Sequence, residues 1–289
     1  MKLARRILSG VSAGGAIFGL LWLGARFDAP WLIGIPVAGV ACLAAWEFLH
    51  LLESAGIVLS RWSFLPWVPV LVLASVVADG QFLNLAVVFA LGGQLIRHLG
   101  DTPQRDGLLR ASGACLGILY IPWLLHFVYR LYAFTTAGDD LAGLASIGAV
   151  LLMVWGYDSG AFFAGRLFGR HQAFPSVSPN KTWEGIVGGT LFAVLGATVG
   201  ASISPLWRAV VFWGEFHHLL IAAILVAAAA QIGDLFASKL KRAAGVKDSG
   251  IFLPGHGGAL DRIDGLLFAL PVFFWYFVLF LRPALLAGP

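Results

Sequence analysis

The chain consists largely of apolar runs that are long enough to cross a lipid bilayer. A membrane-spanning helix needs about 20 mostly apolar residues. Only 12% of the residues are charged, which is too few for an ordinary soluble domain of this length. The sequence therefore predicts an all-α, polytopic membrane helix bundle with about nine transmembrane helices. The predicted spans are 7–25, 30–52, 63–79, 81–97, 111–133, 142–165, 185–204, 217–237 and 263–281.

The distribution of lysine and arginine predicts how these spans are oriented. If the N-terminus is cytoplasmic, only Arg26, Arg130, Arg208 and Arg282 fall on the opposite side, as the positive-inside rule requires. The first span is interpreted as a retained helix because no clean signal-peptide cleavage site follows it. Five spans then lie in an N-terminal region, 1–140. Four spans lie in a C-terminal catalytic region, 141–289, with two polar cytoplasmic loops at 166–184 and 238–262.

Several carboxylates lie inside or at the ends of the predicted spans. A charged residue in a span costs about 2.5–3.5 kcal/mol on insertion, so such residues usually serve a function. Glu47, near His50, is interpreted mainly as an interhelical hydrogen-bond partner. Close helix packing explains the glycines around Asp158, but it does not explain a carboxylate in mid-helix. Asp234 and Asp264 are the other two members of this set.

Asp234 belongs to a polar stripe in the eighth span. At helical spacing Gln231, Asp234, Ser238 and Lys241 share one face of the helix. Such a stripe must face a wet cavity or a partner group rather than lipid. A plain structural pair between the aspartate and a lysine is the alternative.

The following segment, 238–265, interleaves cations with carboxylates. A loop that only set the topology would need the cations alone. Asp261 and Asp264, on one face at the start of the last span, could join Asp234 in an oxygen-ligand site for Mg²⁺, with room for a second cation. The cations would hold a polyphosphate, and the PGHGG turn would bring backbone N–H groups or His256 to an anion. The charged residues concerned are Lys239, Lys241, Arg242, Lys247, Asp248, Asp261, Arg262 and Asp264.

A second polar loop, SPNKTWEG at 178–185, is predicted to lie on the same membrane face. Ser178 and Pro179 are typical of a turn, and Lys181 precedes the start of the seventh span. One interpretation is a capped helix start with Trp183 at the membrane interface. The other is a second wall of a nucleotide pocket that includes Lys181.

These motifs together strongly resemble the CDP-diacylglycerol synthases, also called phosphatidate cytidylyltransferases. The resemblance covers roughly residues 150–275, and Ala259 departs from it where the family usually has a larger aliphatic residue. The matching positions are Ser238, Lys241-Arg242, Lys247-Asp248, Leu253-Pro254, His256-Gly257-Gly258 and Asp261-Arg262-Ile263-Asp264, with supporting matches at Gln231–Asp234, Ser178–Gly185 and the helix of Asp158.

The resemblance implies that CTP and phosphatidic acid react to give CDP-diacylglycerol and pyrophosphate. It implies that Asp234 and Asp261 bind the cation, with Asp264 close by, and that Ser178 and Lys181 contact the nucleotide. Asp158 would order the cavity. It further implies a homodimer, membrane lipid as a partner, no nucleic-acid partner, and a bacterial inner membrane as the setting. The phosphate-binding residues would be Lys239, Lys241, Arg242, Lys247 and Arg262, with Ser238, Asp248 and His256 completing the substrate site.

Three other functions remain open from the sequence. A CTP-dependent lipid kinase, or a synthase that uses another lipid phosphate, would share the same cytoplasmic polar site. A transporter would also carry carboxylates in its helices, but it should show two related halves with broken helices. The ionic residues here crowd into the C-terminal half instead, and a purely structural scaffold would have no need of Asp234.

Overall fold

The structure is a computed structural model of the chain. It describes residues 19–77 except 21, 25 and 28, residues 81–135 except 102, and residues 142–203, 216–250 and 257–281. Most of the first predicted span, together with Leu253, Pro254 and His256, lies outside the described residues.

Six helices within these ranges are long and apolar enough to cross a membrane. They are Trp31–Ser54, Gln104–Ala133, Ala142–Phe168, Trp183–Ser202, Phe216–Ala243 and Leu260–Leu281. The predicted helical membrane bundle is therefore confirmed. The predicted spans 63–79 and 81–97 correspond to shorter or less apolar helices, so the count of nine remains a prediction, as does the cytoplasmic N-terminus.

The helices are numbered here in chain order, with one break and one hairpin among them. Pro122 lies in a π-helical turn, Leu119–Trp123, since proline removes a hydrogen-bond donor from the helix. A second π-helical turn, Phe277–Leu281, ends the last helix. The elements are α1 Trp31–Ser54, α2 Arg61–Phe64, α3 Trp67–Ala74, α4 Gln81–His98, α5 Gln104–Ile118, α6 Phe127–Thr135, α7 Ala142–Phe168, β1 Gln172–Phe174, β2 Ser178–Thr182, α8 Trp183–Ile203, α9 Phe216–Ala243 and α10 Leu260–Tyr276.

The chain folds as two compact units, of which the first comprises Met1–Arg130 and Leu240–Ile263. In this unit α1 packs against α3, and α4 packs against α5. The core includes the fully buried rings of Phe48 and Phe64, which lie on Gly117 of α5. A Cβ atom at Gly117 would stand 2.6 Å from the Phe48 ring, so only glycine permits this close packing.

The second unit comprises Leu131–Lys239 and Asp264–Pro289. Here α7 and α8 pack closely along their lengths, with small residues at the contact. A Cβ atom at Gly160 would stand 2.6 Å from the Phe192 side chain, which explains the glycines around Asp158.

In the same unit α9 meets the start of α10. Gly233 lies against the backbone carbonyl of Asp264 so closely that any side chain would collide with it. This backbone contact prevents α9 from sliding along α10. It therefore fixes the position of the neighbouring Asp234 along the helix axis. Further along, His218 and the Tyr276 hydroxyl are 2.6 Å apart and tie the other ends of these helices together.

Candidate functional site

The loop before α8 forms a small hairpin, which an all-α prediction does not include. Strands β1 and β2 pair antiparallel, with Gln172 opposite Thr182 and Phe174 opposite Ser178. The predicted turn at Ser178 is thus the start of a strand. Lys181 stands near the end of that strand, two residues before α8 begins at Trp183.

Glu184, in the first turn of α8, fastens the chain that leads into this hairpin. Its carboxylate accepts hydrogen bonds from the backbone N–H groups of Arg170 and His171, at 3.1 and 3.3 Å. His171 Nδ1 lies 2.6 Å from the other oxygen. Thr182 Oγ1 accepts the Gly185 N–H at 3.1 Å, so the predicted capped helix start is confirmed. Glu184 holds the residues just before β1, the strand that pairs with β2.

Lys181 and Asp234 form the central contact of the second unit. The Lys181 ammonium lies 2.5 Å from the Asp234 carboxylate, and Ser238 Oγ donates to the other oxygen at 3.3 Å. Asp158 is close enough for its charge to act on both. We call Asp158, Lys181, Asp234 and Ser238 the hairpin cluster. Asp234 therefore pairs with a lysine, which is the alternative that the sequence left open, and this lysine belongs to the second loop.

The hairpin cluster is open to its surroundings. The side chains of Lys181 and Asp234 are 21% and 37% exposed, and Asp158 is exposed as well. Behind Asp234, the Tyr157 hydroxyl donates to Gln231 Oε1 at 2.5 Å in a buried contact. The polar stripe of α9 thus has a buried, bonded end at Gln231 and an accessible end at Asp234.

Lys241 and Asp261 form the corresponding contact of the first unit, at 2.6 Å. Their side chains are only 12% and 14% exposed. The second Asp261 oxygen accepts from the Ser249 N–H at 2.9 Å, from the Ser249 hydroxyl at 3.0 Å and from the Gly258 N–H at 3.0 Å. We call Lys241, Ser249, Gly258 and Asp261 the signature cluster.

The glycine turn before α10 supplies a hydrogen-bond donor to this cluster. Gly257 has a φ of +79°, a conformation that other residues rarely adopt. The turn directs the Gly258 N–H toward Asp261, three residues later. The sequence predicts that N–H groups of this turn approach an external anion. For Gly258, the structure instead places the N–H on a carboxylate of the protein.

Glu47, which the sequence analysis left out of the site, lies beside the signature cluster. It is 7% exposed, and its two oxygens accept from the N–H groups of Ala259 and Leu260 at 2.8 and 2.9 Å and from the Ser249 hydroxyl at 2.8 Å. It is an interhelical hydrogen-bond partner, as predicted, because Leu260 begins α10, and that partner lies more than 200 residues away in the sequence. The only signal in the sequence was a carboxylate inside an apolar span.

The remaining predicted site residues lie at the surface or at helix ends. Ser178 is half-buried on β2, and Asp264 is half-buried and accepts the Gly265 N–H at 2.7 Å. Arg242 donates to the Val246 carbonyl at 3.4 Å. The exposed residues with charged side chains in this set are Lys239, Arg242, Lys247, Asp248 and Arg262.

The donor set can be tested against the predicted Mg²⁺ ion. Within the described ranges, no three His, Cys, Asp or Glu side chains converge closely enough to hold a metal. Mg²⁺ in nucleotide enzymes is commonly bound through one or two carboxylates, with phosphates and water filling the other positions. The accessible oxygens of Asp234, near Asp158, fit that requirement. Asp261 fits less directly, since its oxygens already accept four hydrogen bonds.

Comparison with known proteins decides the family. Residues 4–280 match the model of a cytidylyltransferase family, which is nearly the whole chain. The chain belongs to this cytidylyltransferase family. The resemblance inferred from the signature residues is therefore confirmed.

Named relatives of this cytidylyltransferase come from several bacteria. A phosphatidate cytidylyltransferase of Haemophilus influenzae is 32% identical over 96% of this chain and 100% of its own length. One of Bacillus subtilis is 36% identical over 57% of each chain. One of Staphylococcus haemolyticus is 40% identical over 66% of this chain and 68% of its own.

Proposed function

We propose that this protein is a phosphatidate cytidylyltransferase, which converts CTP and phosphatidic acid to CDP-diacylglycerol and pyrophosphate in phospholipid biosynthesis. The observation that carries the proposal is the match to the Haemophilus influenzae enzyme over 96% of this chain and all of that enzyme. Charged side chains on long apolar helices support it, because such side chains can hold a phosphate group next to lipid.

The proposed reaction requires no side chain as a nucleophile. A phosphate oxygen of phosphatidic acid attacks the α-phosphorus of CTP, a new P–O bond forms, and the bond to the β-phosphate oxygen breaks as pyrophosphate leaves. Both partners are anionic, so positioning and charge neutralisation dominate the catalysis. This fits a site made of lysines, arginines and carboxylates.

Each group of residues has a proposed role. Lys181 would release Asp234 and bind a nucleotide phosphate instead. Ser178, on the same strand, would contact the nucleotide. Lys241, Arg242 and Arg262 would neutralise charge on the reacting phosphates. Lys239, Lys247, Ser238, Asp248, His256 and Asp158 complete the proposed substrate site.

Mg²⁺ is the proposed cofactor, with a second cation as a further prediction. Bound at the site, the ion would neutralise charge on the phosphate oxygens and on the departing pyrophosphate. Asp234 would hold it, as an accessible carboxylate that can exchange Lys181 for a metal. Asp261 and Asp264 remain ligands predicted from the sequence.

The setting of the reaction is proposed from the charge pattern and the relatives. The relatives are bacterial, so the inner membrane is the proposed location, with nine spans, a cytoplasmic N-terminus and a site that faces cytoplasmic CTP. A homodimer is the proposed assembly. Phosphatidic acid would reach the site from within the bilayer.

The test is a transfer assay with purified protein in detergent. CTP labelled at the α-phosphate is supplied with phosphatidic acid and Mg²⁺, and label is followed into the lipid phase. We expect label in the lipid that is abolished by EDTA and restored by added Mg²⁺. No transfer to phosphatidic acid or to any other lipid phosphate, from protein that stays folded, would contradict the proposal and favour the transporter.

A further inference from the structure

Glu47 is a buried carboxylate in the middle of α1 to which the proposed chemistry gives no role. Its neighbours in the sequence, Trp46 and Phe48, are apolar, and about half of the residues of α1 are buried with it. Burying a carboxylate without partners costs several kcal/mol or more, so its three hydrogen bonds must offset a substantial penalty. Among the described residues no lysine, arginine or histidine forms an ion pair with it.

Its three hydrogen bonds go to Ser249, Ala259 and Leu260, which belong to or adjoin the signature cluster. The N–H groups of Ala259 and Leu260 begin α10, where the first backbone N–H groups have no partner inside the helix. A carboxylate at this end satisfies two of them and also interacts favourably with the helix dipole. Glu47 therefore acts as an N-cap for α10, supplied from a distant part of the chain.

The third hydrogen bond connects Glu47 to Asp261. The Ser249 hydroxyl lies 2.8 Å from Glu47 and 3.0 Å from Asp261, so the two carboxylates share its one hydrogen in a bifurcated hydrogen bond. The Ser249 N–H also donates to Asp261 at 2.9 Å. A change in the position of Glu47 would move both the backbone and the hydroxyl that hold Asp261.

The glycines of this segment are required by the same contact. A Cβ atom at Gly250 would stand 2.5 Å from Glu47 Oε1, and one at Gly258 would collide with both Glu47 and Ser249. The segment is thus fitted closely around the Glu47 carboxylate from two sides. Glycine at both positions lets the backbone approach the carboxylate closely, which a side chain that only filled space would not require.

We propose that Glu47 is a positioning residue for cytidylyl transfer, which holds Ser249, the start of α10 and through them Asp261 in the reactive arrangement. This inference rests on the proposed function for its kinetic consequence, but its structural consequence can be measured without any activity. Residues that hold a metal-site or reacting-site residue in place typically contribute about 10–100-fold to metal affinity or activity.

The experiment compares Glu47→Gln with Glu53→Gln. Both replace a carboxylate by an amide of the same size in α1, but Glu53 is half exposed and pairs with Arg61 at 3.0 Å. Gln at position 47 keeps one acceptor oxygen and turns an NH₂ group toward groups that donate. We expect kcat to fall about 10–100-fold in Glu47→Gln, with a higher half-saturating Mg²⁺ concentration, and neither to change in Glu53→Gln.

Hydrogen exchange supplies the readout that does not depend on activity. In Glu47→Gln, peptides that contain Ala259 and Leu260 should exchange faster, while peptides from α7 and α8 exchange as in the wild type. Ser249→Ala should lower kcat as well. In the double variant the loss should be smaller than the product of the two single losses, since both act through one network.

The outcomes separate this inference from the proposed function. If no cytidylyl transfer is found but the exchange at 259–260 rises in Glu47→Gln alone, the positioning of the start of α10 by Glu47 is supported and the proposed reaction fails. If transfer is found and Glu47→Gln has wild-type kcat, Mg²⁺ dependence and exchange, the inference is wrong. Faster exchange throughout the protein, with activity reduced only in proportion to the folded fraction, would also overturn it.

Discussion

The two lysine–aspartate pairs of the protein are chemically the same and differ in their surroundings. Lys181 and Asp234 lie 2.5 Å apart with side chains 21% and 37% exposed, and one further hydrogen bond reaches Asp234. Lys241 and Asp261 lie 2.6 Å apart with side chains 12% and 14% exposed, and three further hydrogen bonds reach Asp261.

The difference suggests a division of work between the two aspartates. Asp261 is held in one position by a serine, a glycine turn and a lysine, so it is preorganised and expensive to disturb. Asp234 has few partners and accessible oxygens, so it can exchange its lysine for a metal ion or another ligand at little cost. Accessible ion pairs such as Lys181–Asp234 are usually worth less than about 1 kcal/mol.

The largest effect should come from removing the accessible carboxylate. We expect Asp234→Asn to lower the transfer rate by about 10²–10³-fold, comparable to the loss of one transition-state-stabilising group. Steady-state kinetics at saturating CTP and phosphatidic acid measure it. Asp106→Asn, a change in the first turn of α5 outside both clusters, serves as the control. Activity within twofold of the wild type would remove Asp234 from the mechanism.

The lysines should separate the two pairs next. Lys181→Gln should raise the KM for CTP about tenfold while the protein stays stable, as expected for loss of one phosphate contact worth about 1.4 kcal/mol. Lys241→Gln should lower stability as well as activity, because it leaves Asp261 less well paired in a half-buried site. Equal melting temperatures for the two variants would show that the surroundings of the pairs do not matter.

The position of Asp234 depends on the contact behind it. Gly233→Ala should destabilise the protein by about 1–3 kcal/mol, as overpacking does, because a Cβ atom would strike the Asp264 carbonyl. Gly148→Ala is the matched control, since no atom lies within 4 Å of its added Cβ. Thermal unfolding in one detergent compares the two. If they melt alike, α9 is not pinned at this point.

The smallest effect concerns a carboxylate outside both clusters. A hydrogen bond from His98, and then one from Arg110, hold the pKa of Asp101 below its ordinary value. The stabilisation is present above the unfolded-state pKa of about 3.9 and is lost as the pH falls through the folded-state pKa. Asp101→Asn should therefore melt slightly below the wild type at pH 7. The two curves should converge in acid, and a constant gap down to pH 2 would contradict the assignment.

The sequence predicted the helices and the family better than the contacts between side chains. The apolar runs predicted the long helices, and the spacing of Gln231, Asp234 and Ser238 placed them on one face of α9. Local pattern determines both features. The partner of Asp234 depends on tertiary packing, so the choice between Lys181 and Lys241 could not be made from periodicity.

Two carboxylates illustrate what the sequence could not supply. Glu47 accepts from residues more than 200 positions away, and no helical or strand period relates such residues. The second, Glu184, lies in the first turn of a helix whose start was predicted from the sequence, since a helix start is a local property. Its role in fastening His171 and the following hairpin depends on a strand pair too short to predict.

The most direct test of the division between the aspartates is the thermal unfolding of Asp234→Asn and Asp261→Asn in the same detergent at neutral pH without substrate. The account predicts that Asp261→Asn melts clearly lower, since in either orientation the amide NH₂ would face a donor, the Lys241 ammonium or the N–H groups of Ser249 and Gly258, at a cost of about 1–3 kcal/mol. Asp234→Asn should melt within a degree or two of the wild type, as expected for an ion pair worth less than about 1 kcal/mol. If Asp234→Asn melts as low as Asp261→Asn or lower, both pairs are structural and the account is wrong.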